Sequence, residues 1–130
     1  MDHIKNMLKL KNWAVIGASP NKEKPVYEII NMLKEYGYNV YCINPNYDKI
    51  DEMICYKAIE DLPVAPDVIN IVVPVSAAKQ IVKNLDSNKY KNLWFQPGAF
   101  DDETAELANA KGFNVIADGS CVMVALTLSE

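Results

Sequence analysis

The sequence predicts an α/β fold, a three-layer, doubly wound domain with a five-stranded, mainly parallel sheet. Three observations lead there. Short apolar runs of strand length alternate with segments of helical period along the whole chain. The links between the runs are long enough for helical crossovers, which in a parallel sheet are right-handed. Each run also breaks at a cluster of glycine, proline or small polar residues, the turn chemistry needed where a strand hands over to a helix.

Ile4, Met7, Leu8 and Leu10 lie at near-helical spacing and predict a short helix within residues 2–11. Trp13 to Ile16 is continuously apolar and ends at Gly17, as a strand buried on both faces would. From Pro25 to Tyr36, Val26, Ile29, Ile30, Leu33 and Tyr36 recur at helical spacing. Proline in the first turn and Gly37 just beyond the last give that helix its start and stop. Tyr38 to Ile43 predicts the second strand, broken by Asn44, Pro45 and Asn46. Residues 47–66 have no sustained period and contain Pro63 and Pro66, so they read as an irregular excursion with short turns. Asp67 to Val73 is the third strand, stopped by Pro74, and Ser76 is the expected N-cap of a helix running to Leu85. Leu93 to Phe95 is the fourth strand. Asp101 or Asp102 caps a helix to Lys111, Gly112 ends it, and Phe113 to Ala117 is the fifth strand. This is the alternation of a Rossmann-like domain.

Bulk properties narrow the function. At 130 residues and 50% hydrophobic, the chain fits one domain over 1–130 with a substantial core. A net charge of −4 argues against nucleic acid as a partner, because nonspecific phosphate binding needs a basic face. The apolar runs fall far short of the roughly 20 residues of a membrane span. The N-terminus has no basic-then-apolar layout of a signal peptide. Cys42, Cys55 and Cys121 are odd in number and widely spaced, which fits reduced thiols in a cytoplasmic protein and not a disulfide framework. They also lack the paired spacing of a zinc site. With His3 as the only histidine, no Ser-His-Asp or Cys-His set can be assembled, so no catalytic residue and no metal site is expected.

The candidate site lies at the strand C-termini, where open parallel sheets gather ligands. Gly17 lets backbone approach a ligand closely and allows positive φ. Ser19 can offer a hydroxyl to a phosphate oxygen, and Lys22 and Lys24 bring positive charge to a helix N-terminus, itself worth only ~0.3–1 kcal/mol per anionic contact at exposed sites. Either lysine alone reads equally well as a solvated loop residue. A strand, one glycine and a helix make a phosphate cradle, yet a dinucleotide fingerprint would carry three glycines. At the end of the second strand, where NAD-binding domains place an acid on the ribose diol, stands Asn44. Asparagine can bond a ribose without repelling a phosphate attached to it, which permits a 3′-phosphorylated adenosine. Cys121 sits where a thiol-bearing ligand could end, though a packed or idle thiol is the plainer reading.

Gly17 to Asn21, Lys24 and Pro25, Asn44 to Tyr47, Val73 and Pro74, Gln96 to Gly98 and the late Cys121 together resemble the small stand-alone CoA-binding-domain family. That family is similar in fold to the CoA-binding N-terminal domain of the succinyl-CoA synthetase α subunit, and the resemblance covers about residues 10–125. It implies a Rossmann-like fold with coenzyme A, free or acylated, across the strand ends. On the matching positions, Gly17, Ala18, Ser19 and Pro20 would face phosphate, and Lys24 would be a basic contact. Asn44 and Pro45 would lie by the adenosine, Val73 and Pro74 by the adenine or diphosphate, and Gln96, Pro97 and Gly98 along the pantetheine. The phosphorylated histidine of the larger synthetases has no counterpart here. The expectation is a ligand-binding protein more than an enzyme, with a homodimer or a partner synthetase subunit left open. The alternatives are an NAD(H)-binding sensor and a subunit whose partner supplies the catalytic residues.

Overall fold

A computed structural model describes residues 2–129. Its element order is α1 (His3–Leu8), β1 (Asn12–Ile16), α2 (Pro25–Glu35), β2 (Asn39–Ile43), β3 (Lys49–Ile50), β4 (Met53–Tyr56), β5 (Val68–Ile71), α3 (Val75–Asn84), β6 (Asn92–Phe95), α4 (Asp102–Ala110), β7 (Asn114–Ile116) and α5 (Val122–Leu128), with a short 3₁₀ turn at Ile59–Asp61. The strands form one sheet in the order β3-β4-β2-β1-β5-β6-β7. Every pairing is parallel except β3 with β4. Strand order therefore reverses between β1 and β5, which pair Trp13 with Val68 through Ile16 with Ile71.

The sheet has seven strands and not the expected five. The two extra ones come from residues 47–66: β3 and β4 form a tight hairpin, and β4 adds to the sheet in parallel beside β2, Cys42 opposite Cys55 and Ile43 opposite Tyr56. β3 has only two residues, and β4 has no α-helix after it to complete a strand-helix unit, so that segment hid them. The expected start of α3 also shifts. The helix begins at Val75 behind Pro74, no side chain caps it, and Ser76 lies inside its first turn. Asp101 does cap α4, its carboxylate accepting from the Thr104 N–H at 2.8 Å.

Two apolar layers enclose the sheet. On one face Met7 of α1, Val26, Ile29, Ile30 and Leu33 of α2, and Val122 and Leu126 of α5 pack on Trp13, Val15, Val68 and Trp94. On the other, Ala78 and Val82 of α3 and Ala108 of α4 cover Ala14, Ile69, Ile71, Leu93 and Phe95. Successive strand residues point to opposite faces, which is why β5 is buried at all four positions. Among the described residues, no helix is long and apolar enough to cross a membrane.

Candidate functional site

Hydrogen bonding continues past the strand ends and fixes the loops that follow. Gly17 and Ala18 both donate to the Ile43 carbonyl, at 3.0 and 3.3 Å, and Val72 donates to Ile16 at 2.9 Å. Gly17 has φ +96°, and a Cβ there would come 2.2 Å from the Val72 carbonyl oxygen. Only glycine lets β1 and β5 approach this closely as they part at the switch point.

Two clefts open at this edge, and both include Gly17 and Val73. The larger, about 740 Å³, runs between the end of β2, the segment after β4, and α3 with the turn that follows it. Ile43, Asn44, Pro45, Ile59, Ile81 and Tyr90 are among its walls, and Lys57 and Lys89 stand in it together with Glu60 and Asp86. The smaller, about 590 Å³, runs from Lys24, Pro25 and Val26 past Val72, Val73 and Pro74 to Gln96, Pro97, Gly98 and Cys121. A third hollow of about 620 Å³ lies against α1, α4 and β7, with His3 in its wall and none of the expected site residues.

The expected residues divide accordingly. Gly17, Asn44, Pro45 and Val73 line the larger cleft; Gly17, Lys24, Val73, Pro74, Gln96, Pro97 and Gly98 line the smaller. Ala18 and Ser19 are buried behind the loop and line neither. The Ser19 hydroxyl oxygen accepts from the Asn21 N–H at 3.1 Å, and Asn21 in turn accepts from Glu23, so these residues shape the turn. Much of the loop's backbone is thus already paired, and the cradle of free N–H groups expected from the sequence is correspondingly smaller. Pro20 is half-buried, while Lys22 is exposed and lines neither cleft.

Asn44 ties two loops together. Its Nδ2 donates to the Ala18 carbonyl at 2.9 Å and its Oδ1 accepts from the Asn46 N–H at 2.9 Å. The side chain at the end of β2 therefore braces the two loops. Gln96, 5% exposed, is held just as firmly: Oε1 accepts from the Val122 N–H at 3.0 Å and from Asn70 Nδ2 at 3.3 Å. Its Nε2 then faces the Cys121 thiol at 3.3 Å, at the start of α5. Burial pushes the Cys42 thiol up to about 12 and raises that of Cys55, so both are packing residues.

Sequence reasoning missed Lys57 and Lys89. Lys57 lies just past β4, inside the segment that showed no period, and Lys89 lies in the turn after α3. Lys57 pairs with Asp48 at 2.8 Å and donates to the Tyr47 carbonyl at 3.1 Å. The Lys57 ammonium holds the Asp48 carboxyl below its ordinary value. Nothing local in the sequence ties residue 57 to the end of β2; only the hairpin does.

The arrangement can hold an elongated molecule along two clefts that share Gly17 and Val73 in their walls. A model of the CoA binding domain matches residues 11–127. The chain is 32% identical over 102 residues to the ADP-forming acetate–CoA ligase II of Archaeoglobus fulgidus, a match covering 77% of this chain and 15% of that protein. It is 30% identical over 120 residues to the α subunit of the ADP-forming acetate–CoA ligase II of Pyrococcus furiosus, covering 84% of this chain and 26% of that subunit. The chain thus spans only 15–26% of the length of these relatives. Among solved structures, a hypothetical protein from Pyrococcus horikoshii OT3 superposes with a TM-score of 0.88 at 27% identity, covering 96% of this chain and 88% of that one. The chain belongs to the CoA-binding-domain family and is related to the matching domains of ADP-forming acetate–CoA ligases.

Proposed function

We propose that this chain binds coenzyme A or an acyl-CoA across the C-terminal edge of its sheet, as one CoA-binding domain over residues 1–130 and with no catalytic group of its own. One observation carries the reading: two clefts of about 590 and 740 Å³ meet at Gly17 and Val73, at the point where strand order reverses. Coenzyme A is an adenosine 3′-phosphate and a pantetheine arm joined by a diphosphate. The adenosine suits the larger cleft, whose walls offer Ile43, Ile59, Ile81 and Tyr90. The diphosphate would cross at the Gly17–Pro20 turn, near Lys24, with Lys22 adding only its field from solvent. The pantetheine would continue past Val73 and Pro74 to Gln96, Pro97 and Gly98, with its thiol end toward Cys121.

An NAD(H) sensor is the weaker reading, because no carboxylate stands at Asn44 and the amide there already braces two loops. A thermal-shift series separates them. Melting temperature is expected to rise with CoA, less with dephospho-CoA and least with NADH, and the CoA shift to shrink as salt is added. No shift at millimolar CoA, or a larger one with NADH, overturns the proposal.

A second reading follows from the match to a ligase α subunit, of which the chain spans 26%. The domain would then present CoA to a partner chain that carries the chemistry. Co-purification with a larger synthetase-like chain, and turnover only in the mixture, is the result expected of it; a homodimer inert in every such mixture speaks against it.

A further inference from the structure

We propose that Lys57 is the residue that reads the 3′-phosphate of the bound nucleotide, and that Asp48 holds its ammonium in place until that phosphate arrives. The inference rests on the CoA reading above and specifies which group gives it selectivity. In folds of this kind the residue at the end of the second strand lies beside the ribose hydroxyls. Here that position is Asn44, followed by Pro45 and Asn46, and all three share the larger cleft with Lys57. The sheet brings them together: Asn44 donates to the Tyr56 carbonyl at 2.9 Å, so the residue after Tyr56 emerges beside the end of β2. Lys57 then reaches over that loop, bonded to the Tyr47 carbonyl at 3.1 Å and paired with Asp48 at 2.8 Å.

The other charges in the cleft favour this choice. Lys89 belongs to the turn after α3 and lies over the Tyr90 ring, 5.4 Å from its centroid, and among the described residues it forms no hydrogen bond or ion pair with the loop after β2. Glu60 and Asp86 leave the cleft without net positive charge, so a phosphate gains little from the field of the cleft as a whole and must find a local cation. Asp48 is almost fully exposed, at 92% of its side-chain area, so its hold on Lys57 is screened and readily exchanged. A phosphate dianion is a stronger partner for the same ammonium than one carboxylate.

The test is calorimetric titration of the full chain and its variants with CoA and with dephospho-CoA at low salt. Wild type is expected to prefer CoA by about tenfold or more, the scale of one charge-assisted contact. Lys57→Gln, which keeps a donor for the Tyr47 carbonyl, is expected to bring the two ligands to within about twofold of each other by weakening CoA alone. Lys57→Arg should restore most of the preference, Lys89→Gln should leave it intact, and Asp48→Asn should tighten CoA severalfold with little effect on dephospho-CoA. A preference that survives in Lys57→Gln, an equal loss for both ligands, or collapse in Lys89→Gln overturns the assignment to Lys57 while leaving CoA binding standing. Wild type that binds neither ligand overturns both.

Discussion

At the scale of single residues, the account turns on Gly17. Any side chain there would strike the Val72 carbonyl, and φ of +96° is strained for every L-residue. Gly17→Ala is therefore expected to cost about 2 kcal/mol or more in urea unfolding and to abolish the CoA-induced rise in melting temperature. A variant as stable as wild type would mean that β1 and β5 can separate without cost. The thiols give a second check. Cys121 borders the smaller cleft, whereas Cys42 and Cys55 are buried. Labelling of the native protein with a disulfide reagent at pH 8 should modify one thiol quickly, two only on unfolding, and the fast one should slow in CoA. The Cys42 thiol also sets a direction for alkaline stability. Its value is raised by burial from 9.0 to about 12, so the stabilisation from the neutral form is full below pH 9 and is lost as pH rises toward 12. Cys42→Ala should show a shallower loss over that window than wild type.

At the scale of elements, α2 is the clearest link from sequence to site. Pro25 opens it, Val26, Ile29, Ile30 and Leu33 seat it on the sheet, and its first turn then borders the smaller cleft. Leu33→Ala, at a fully buried position, should cost about 2–5 kcal/mol while leaving CoA affinity of the folded protein unchanged, since Leu33 lines neither cleft. A change in affinity of more than a few-fold would show that α2 shifts as a body. The elements that read plainly from sequence were those with a distinct stop: α2, the strands β1, β2, β5, β6 and β7, and α4 with its Asp101 cap. The β3–β4 hairpin was hidden because it depends on long-range pairing with β2 and on Asp51 at φ +53°, a conformation no local pattern announces. With the hairpin hidden, Lys57 could not be placed at the site. Gly17, Lys24, Asn44, Val73, Pro74 and Gln96 were legible because strand ends in a parallel sheet converge whatever the details of the loops. The bracing roles of Ser19 and Asn44 were not, because a side chain's choice between ligand and neighbouring backbone is settled only by the loop's final shape.

At the scale of the whole molecule, the reversal of strand order between β1 and β5 creates the site. To one side the loops after β2 and β4 rise against α3; to the other, the loops after β5 and β6 face α2 and the start of α5. The two clefts are thus a consequence of topology, and Gly17 and Val73 line both of them. The central claim is that a single CoA molecule spans both clefts. A crystal structure of the chain grown with CoA tests it most directly. The account predicts adenosine beside Asn44 and Lys57, diphosphate over Gly17, and pantetheine running past Pro74 to Gln96 and Cys121. CoA confined to one cleft with its diphosphate away from Gly17, or bound elsewhere on the surface, would contradict it.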